Sequence, residues 1–236
     1  MARATTKSKT AAKGKKTDKL RSMSKAHQRY YTSSGERVPG VTTITGQLNK
    51  PALIHWAWKL GMDGIDYKTY RDAAADVGTL AHAMVVEHLG GPKVDLTQYS
   101  KNIIDLAENA LLSFFEWEDS HKIEPVFLEK QLVSDRCRYG GTLDCYAKMD
   151  DGKYWLIDFK TGKAIYTEMI YQLAGYAGLL TENQQLVQGT RILRIGRDEN
   201  EGFEDKIFEL SDLKTAYRAF IALTKFYHLS RKIDGK

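Results

Sequence analysis

Asp158 and Lys160 stand two residues apart at the end of an apolar run, Leu156-Ile157-Asp158-Phe159-Lys160-Thr161-Gly162. A second acid, Asp144, closes Gly140-Gly141-Thr142-Leu143-Asp144 just upstream. Strand alternation would put Asp158 and Lys160 on one face and turn Ile157 and Phe159 into a packed layer on the other. If Asp144 lies on the preceding antiparallel strand, pairing can carry its carboxylate across to Asp158. Two carboxylates so close repel unless a cation joins them. Oxygen ligands completed by waters and a backbone carbonyl such as that of Phe159 suit Mg²⁺ or Mn²⁺. A divalent ion there would polarise a phosphoryl oxygen, activate water and stabilise leaving charge. Lys160 would orient the attacking water and offset charge on the phosphate. An isolated Asp-x-Lys reads more simply as a strand-end acid beside a solvent-facing lysine. The apolar strand and the glycine-led partner acid lift this one above that reading.

The elements that must position these residues follow from periodicity. Segments 123–133, 138–149 and 153–159 read as successive strands, the last two joined by a turn at Asp150-Asp151-Gly152. Helical patterns cover 51–61, opened by Pro51, then 70–89, stopped at Gly90-Gly91-Pro92, and 101–119. After the strands, a helix is expected over 167–180, strands over 189–196 and 203–209, and a last helix over 212–229. Residues 38–45 read as a turn entering a short strand or extended segment. Helices before and after a strand meander point to one mixed α/β core in which a central sheet is flanked by helices.

Composition sets the outer bounds. The chain has 236 residues, 42% hydrophobic and 28% charged, enough for a sizeable core. No apolar stretch approaches a membrane span, and the first residues lack the apolar centre of a secretory signal. The formal charge of +5 is unevenly spread. Residues 1–29 carry ten Lys or Arg against one acid, and the remaining 25 basic and 29 acidic residues leave the rest slightly negative. That segment is expected to be a disordered basic tail able to approach a polyanion. Cys137 and Cys145 lack the spacing of a metal site and read as strand residues. No phosphate-binding loop of the Gly-x-x-x-x-Gly-Lys-Ser/Thr type occurs, so no ATP site is expected. Gly175-Tyr176-Ala177-Gly178 reads as close packing or a turn before it reads as a phosphate cradle.

In these motifs the chain resembles the PD-(D/E)xK nuclease superfamily, specifically its RecB-like, phage-exonuclease-like branch. Gly141-Thr142-Leu143-Asp144 looks like that branch's first acidic motif, and Leu156–Gly162 like its second. Gln172-Leu173-Ala174-Gly175-Tyr176 matches a downstream Gln-x-x-x-Tyr signature, and His82 in Gly78-Thr79-Leu80-Ala81-His82 looks like the upstream histidine. The resemblance covers about residues 38–180, and the last fifty residues add little to it. It implies a restriction-endonuclease-like core, with residues 30–236 as a single nuclease domain whose N-terminal part is helical. It also implies metal-dependent DNA exonuclease activity in phage or recombination DNA processing. Asp144, Asp158, Lys160, Gln172 and Tyr176 would be catalytic, and His82, Asp144, Asp158 and the Phe159 carbonyl would hold Mg²⁺ or Mn²⁺. Glu129 is a further metal ligand or, equally, a member of an edge-strand salt bridge.

Helical spacing puts Gln172 and Tyr176 on one face, with Glu168 a turn earlier, to bind a DNA phosphate or orient Lys160. His82 reads otherwise as a capping or packed histidine. Lys163 could touch phosphate. Tyr30, Tyr31, Trp56 and Trp58 are stacking surfaces or, for the tryptophans, core anchors. Some relatives carry an iron–sulfur cluster on four cysteines, which two cysteines cannot supply. DNA is the expected partner, with a recombination or single-strand-binding protein and a homo-oligomer as further expectations. The expected location is the cytoplasm of a bacterial or phage-infected cell, away from membranes. A structure-selective endonuclease and an inactive nucleic-acid-binding protein remain open alternatives. A structural Ca²⁺ centre is another, although no calcium-loop spacing is present.

Overall fold

Five strands form the central sheet of the computed structural model, which describes residues 28–198 and 201–235. Their order follows the chain: β3 (Ile123–Ser134), β4 (Tyr139–Met149), β5 (Tyr154–Lys160), β6 (Gly189–Ile195) and β7 (Phe203–Phe208). β5 and β6 run parallel and every other neighbouring pair antiparallel. The parallel pair needs a crossover, which α5 (Thr167–Glu182) supplies. β5 is buried along Trp155–Phe159, as expected of a strand covered on both faces.

Helices cover both sides. On one, α3 (Tyr67–His88) and α4 (Lys101–Glu118) present Leu80, Ala81, Val85 and Phe114 to Cys145, Ile157, Phe159 and Leu193 of the sheet. On the other, α1 (Val41–Thr45), α5 and α6 (Leu210–Ile233) pack on Leu143, Tyr146, Leu156 and Ile192. This layered α/β arrangement, with its mixed sheet, matches a restriction-endonuclease-like architecture. Among the described residues, no helix is long and apolar enough to cross a membrane. Residues 1–27, nearly all of the expected disordered tail, lie outside the described residues.

The sequence reading of 38–45 needs correction. Arg37–Val38 forms β2, paired with β1 (Tyr30–Tyr31), but Val41–Thr45 is helical. The β-branched run favours extended backbone locally. Burying Val41 and Ile44 in the α5–α6 layer outweighs that preference. α3 begins three residues earlier than expected because Asp66 caps it, its carboxylate accepting from the amides of Lys68 (3.2 Å) and Thr69 (3.3 Å). α2 (Pro51–Met62) buries no residue. Trp56 meets Tyr67 and Tyr70 edge-on, and Trp58 is 59% exposed and stacks on His55, so neither is a core anchor. Cys145 lies on β4 as expected, whereas Cys137 sits in the turn between β3 and β4.

Gly175 and Gly178 are packing glycines. A Cβ on Gly178 would come 2.8 Å from the Tyr139 hydroxyl oxygen, and one on Gly175 would come 3.0 Å from the Phe220 ring. Their missing side chains let α6 lie close against α5. Gly178→Val is therefore expected to destabilise the protein by about 1–3 kcal/mol. Denaturant unfolding checks this, and an unchanged midpoint would contradict the packing role.

Candidate metal centre

The centre forms where the sheet opens. β4 and β5 pair through Cys145↔Ile157, the last pair towards the site. Continued by one step, that register would set Asp144 opposite Asp158. Instead Asp144 Oδ2 accepts the Phe159 amide hydrogen at 3.0 Å, so a side chain takes the place of a ladder bond. β4 also turns over here: Leu143 belongs to the α5–α6 core and Cys145 to the α3–α4 core. The carboxylate is thereby aimed into the gap between strands.

Glu129 lies across from Asp144, between the pairs Leu128↔Cys145 and Lys130↔Leu143. Its φ of 50° lies in the left-handed region. That conformation costs a non-glycine residue about 1–3 kcal/mol and collects at functional sites. His82 arrives from α3. Its Nδ1 lies 3.2 Å from Glu129 Oε1 and its Nε2 3.1 Å from Asp144 Oδ1. One ligand atom from each of His82, Glu129 and Asp144 falls within 4.8 Å of the others. Of the two readings of Glu129, the structure is compatible with both: it pairs with His82 from edge strand β3 and is a member of this cluster. His82 is neither a cap nor simply packed: it lies inside α3 and faces two carboxylates.

Asp158 belongs to the same opening but is held differently. Its carboxylate pairs with the Lys160 ammonium, as strand alternation predicts. The Asp158 side chain is 2% exposed and that of Lys160 20%, so the acid lies behind and the amine at the mouth. Burial pushes the Asp158 carboxyl up to about 6. The Lys160 charge opposes that shift and Asp144 adds to it. Burial disfavours the Lys160 cation, but the charges of Asp158 and Asp144 outweigh it and raise its pKa. The amine therefore remains an ammonium at neutral pH.

The donor set fits a hard divalent cation. It offers one imidazole nitrogen and carboxylate oxygens of one sign, the mixture that Mg²⁺ and Mn²⁺ accept. His82 Nε2, although near Asp144, is misaligned for a hydrogen bond and is buried without one. A buried polar atom left so is costly, and an ion bridging it to Asp144 would relieve that cost. His82, Glu129 and Asp144 can hold a metal ion.

The downstream signature also reaches the site. Gln172 and Tyr176 line the same cleft, of about 1450 Å³, as His82, Asp144, Asp158 and Lys160. Gln172 Nε2 donates to Thr45 Oγ1 at 3.2 Å, tying α5 to α1. Burial first, then the charges of Asp158 and Asp144, raise the Tyr176 pKa well above its usual range, so the phenol keeps its proton. Tyr176 packs against Gly141, where a Cβ would meet the ring at 2.7 Å. That glycine is therefore needed beside the first acid. Gly162, with φ 123°, lies in the left-handed region where the chain bends after Lys160.

Other expectations are relocated. Lys163 is not among the cleft-lining residues; it lines a separate cavity of about 490 Å³ with Tyr70, Asn102 and Arg197. Glu168 is engaged by Lys50 at 2.9 Å. Tyr30 does line the cleft, its hydroxyl 2.9 Å from Thr142 Oγ1. Two features were missed. Arg194 NH1 donates to the Gly162 carbonyl at 3.1 Å and braces the turn after Lys160. The last turns of α6 line the cleft with Lys225, His228, Arg231 and Lys232, so the C-terminal segment contributes more than the motif comparison implied. Arginine in an apolar β6 strand, Arg191-Ile192-Leu193-Arg194, was the available signal for the first.

No family model and no curated protein matches the chain. Among solved structures, the chain is similar to SSO0001, at 14% identity and a TM-score of 0.30 over 64% of this chain and 74% of that one. It is also similar to an alkaline exonuclease, LHK-Exo, from Laribacter hongkongensis, at 15% identity and a TM-score of 0.33 over 69% and 91%. The same exonuclease in complex with dAMP gives 14% identity and a TM-score of 0.32 over 69% and 91%. None of these similarities bears on the substrate or reaction of this chain.

Proposed function

We propose that the protein is a divalent-metal-dependent deoxyribonuclease of the PD-(D/E)xK type, acting as an exonuclease, with residues 30–236 as its nuclease domain. The observation that carries this reading is the cluster of His82, Glu129 and Asp144 within 4.8 Å, of which His82 and Asp144 line one cleft with the Asp158–Lys160 pair. A structural acid pair would not need a histidine, a left-handed glutamate and a lysine at the cleft mouth around it.

Each residue then has a task. His82, Glu129, Asp144 and Asp158, with the Phe159 carbonyl, would hold Mg²⁺ or Mn²⁺, which would supply Lewis acidity at the phosphoryl oxygen. Lys160 orients the attacking water and neutralises charge growing on the phosphate. The water oxygen forms a new bond to phosphorus and the bond to the leaving oxygen breaks; the proton lost by the attacking water passes to solvent, and solvent protonates the leaving oxygen. Gln172 and the neutral Tyr176 hydroxyl donate to the phosphate or orient Lys160. DNA is the substrate; a recombination or single-strand-binding protein is a candidate partner and a homo-oligomer a candidate assembly. The nine Lys or Arg of residues 1–27 precede Gln28, itself a cleft residue, which supports a polyanionic substrate.

The test is cleavage of end-labelled linear DNA beside covalently closed circular DNA with Mg²⁺, Mn²⁺ or EDTA. Loss of end label from linear DNA alone, abolished by EDTA, is the expected result. Cutting of the closed circle would make the protein an endonuclease. Absence of cleavage with every ion and end would leave a binding protein.

Proton and cation compete for Asp158. A carboxyl raised to about 6 keeps its proton below that pH, and ligation needs the carboxylate. Mg²⁺ affinity is therefore expected to weaken by roughly tenfold per pH unit as pH falls below about 6, and to level off above it. Calorimetric titrations between pH 5 and 8 measure this, and a flat profile would remove Asp158 from the ligand set.

A further inference from the structure

The cleft has a basic wall opposite in character to its acidic floor. Lys225, His228 and Lys232 recur at i, i+3 and i+7 along the last turns of α6, and each lines the cleft, as does Arg231. Lysine and arginine at a helix C-terminus can simply answer the helix dipole. That accounts for Arg231 and Lys232 but not for Lys225, two turns earlier. Among the described residues, Lys225, Arg231 and Lys232 form no ion pair. Ion pairs that line the cleft, Arg138 with Glu36, Lys160 with Asp158 and His82 with Asp144, are closed within the protein. The wall is also fixed in place. His228 Nε2 lies 2.9 Å from the Arg138 carbonyl, and Gly175 and Gly178 seat α6 against α5.

We infer that the last turns of α6 are a seat for the polynucleotide backbone. Lys225, Arg231 and Lys232 pair with phosphates flanking the bond presented to Lys160. This rests on the nuclease reading and adds to it a sequence-independent binding surface. Cations on a rigid helix, facing the cleft and without an ion pair among the described residues, match the spaced negative charge of a phosphodiester chain. An acidic peptide would satisfy the charge but has no reason to enter a cleft floored by carboxylates and a metal centre.

The full-length protein is titrated with fluorescein-labelled linear DNA, single- and double-stranded, in Ca²⁺, over a range of salt concentrations. K225A/R231A/K232A is expected to weaken binding about tenfold or more. It should also flatten the slope of log affinity against log salt by about 0.9 for each duplex phosphate that the variant no longer neutralises. A control, K93A/K101A/K122A, removes the same charge from residues outside the cleft lining and is expected to change neither. K225R/R231K/K232R keeps the charge and should retain the salt slope, which guards against a misfolded triple variant. Equal losses in both alanine variants, or none in the α6 variant, would overturn the inference while leaving cleavage intact. A wild type that neither binds nor cuts DNA would instead overturn the nuclease reading, and this inference with it.

Discussion

Asp158→Asn is expected to reduce magnesium-dependent cleavage by about 10³-fold, the rate equivalent of the several kcal/mol that a catalytic cation supplies. The substitution keeps size and removes charge. Asp158 is buried and, among the described residues, is the acid in the opening that faces Lys160 directly. An amide cannot replace an anionic ligand, and it removes the carboxylate that pairs with the Lys160 ammonium. A readout independent of activity accompanies this. A cation that binds only the folded state raises the melting temperature of the wild type, and Asp158→Asn should lose most of that rise. A variant that cuts DNA at wild-type rates would show that Asp158 is merely the partner of Lys160.

The second large effect is expected at Lys160. Lys160→Met should slow cleavage by about 10²–10³-fold, the loss that follows removal of one preorganised charge or donor at a developing anion. It should also move the pH profile. The lysine charge now lowers the Asp158 pKa against burial. Without it, the carboxyl rises above about 6 and holds its proton to higher pH. Metal binding and residual activity should therefore shift to more alkaline conditions, which pH–rate profiles at a fixed Mg²⁺ concentration below saturation measure. Lys160→Arg is not expected to rescue, because the planar guanidinium cannot occupy the compact space between Asp158 and the cleft mouth. An unshifted profile in Lys160→Met would mean that the pair is not coupled as the geometry requires.

Much of this centre is legible in local sequence because strand alternation is a strict geometric rule. Asp158 and Lys160 fall on one face, and Ile157 and Phe159 on the other, with no tertiary information needed. The Asp150-Asp151-Gly152 turn is equally local, with Gly152 at φ 75°. What failed to show was set by contacts distant in sequence. Val41–Thr45 is a helix because its apolar residues meet α5 and α6, against its own propensity. Glu129 enters the site through a left-handed backbone that alternation cannot express, and β4 turns over between Leu143 and Cys145, so alternation fails there too. The sequence reading paired Asp144 with Asp158 as the heart of the centre. The structure brings Asp144 together with His82 and Glu129, and engages Asp158 with Lys160 beside them. The cleft face of α6 stayed hidden because a stripe of lysine, histidine and arginine on a terminal helix looks like any solvated face.

The most direct test of the metal centre is a crystal of the full-length protein soaked in Mn²⁺ and measured at the manganese absorption edge. The account predicts one anomalous peak about 2.1 Å from oxygens of Glu129, Asp144 and Asp158 and from a His82 nitrogen, with the Lys160 amine swung off Asp158 toward the cleft. A saturating soak that shows no peak there, or a peak bound only by surface carboxylates, would contradict it.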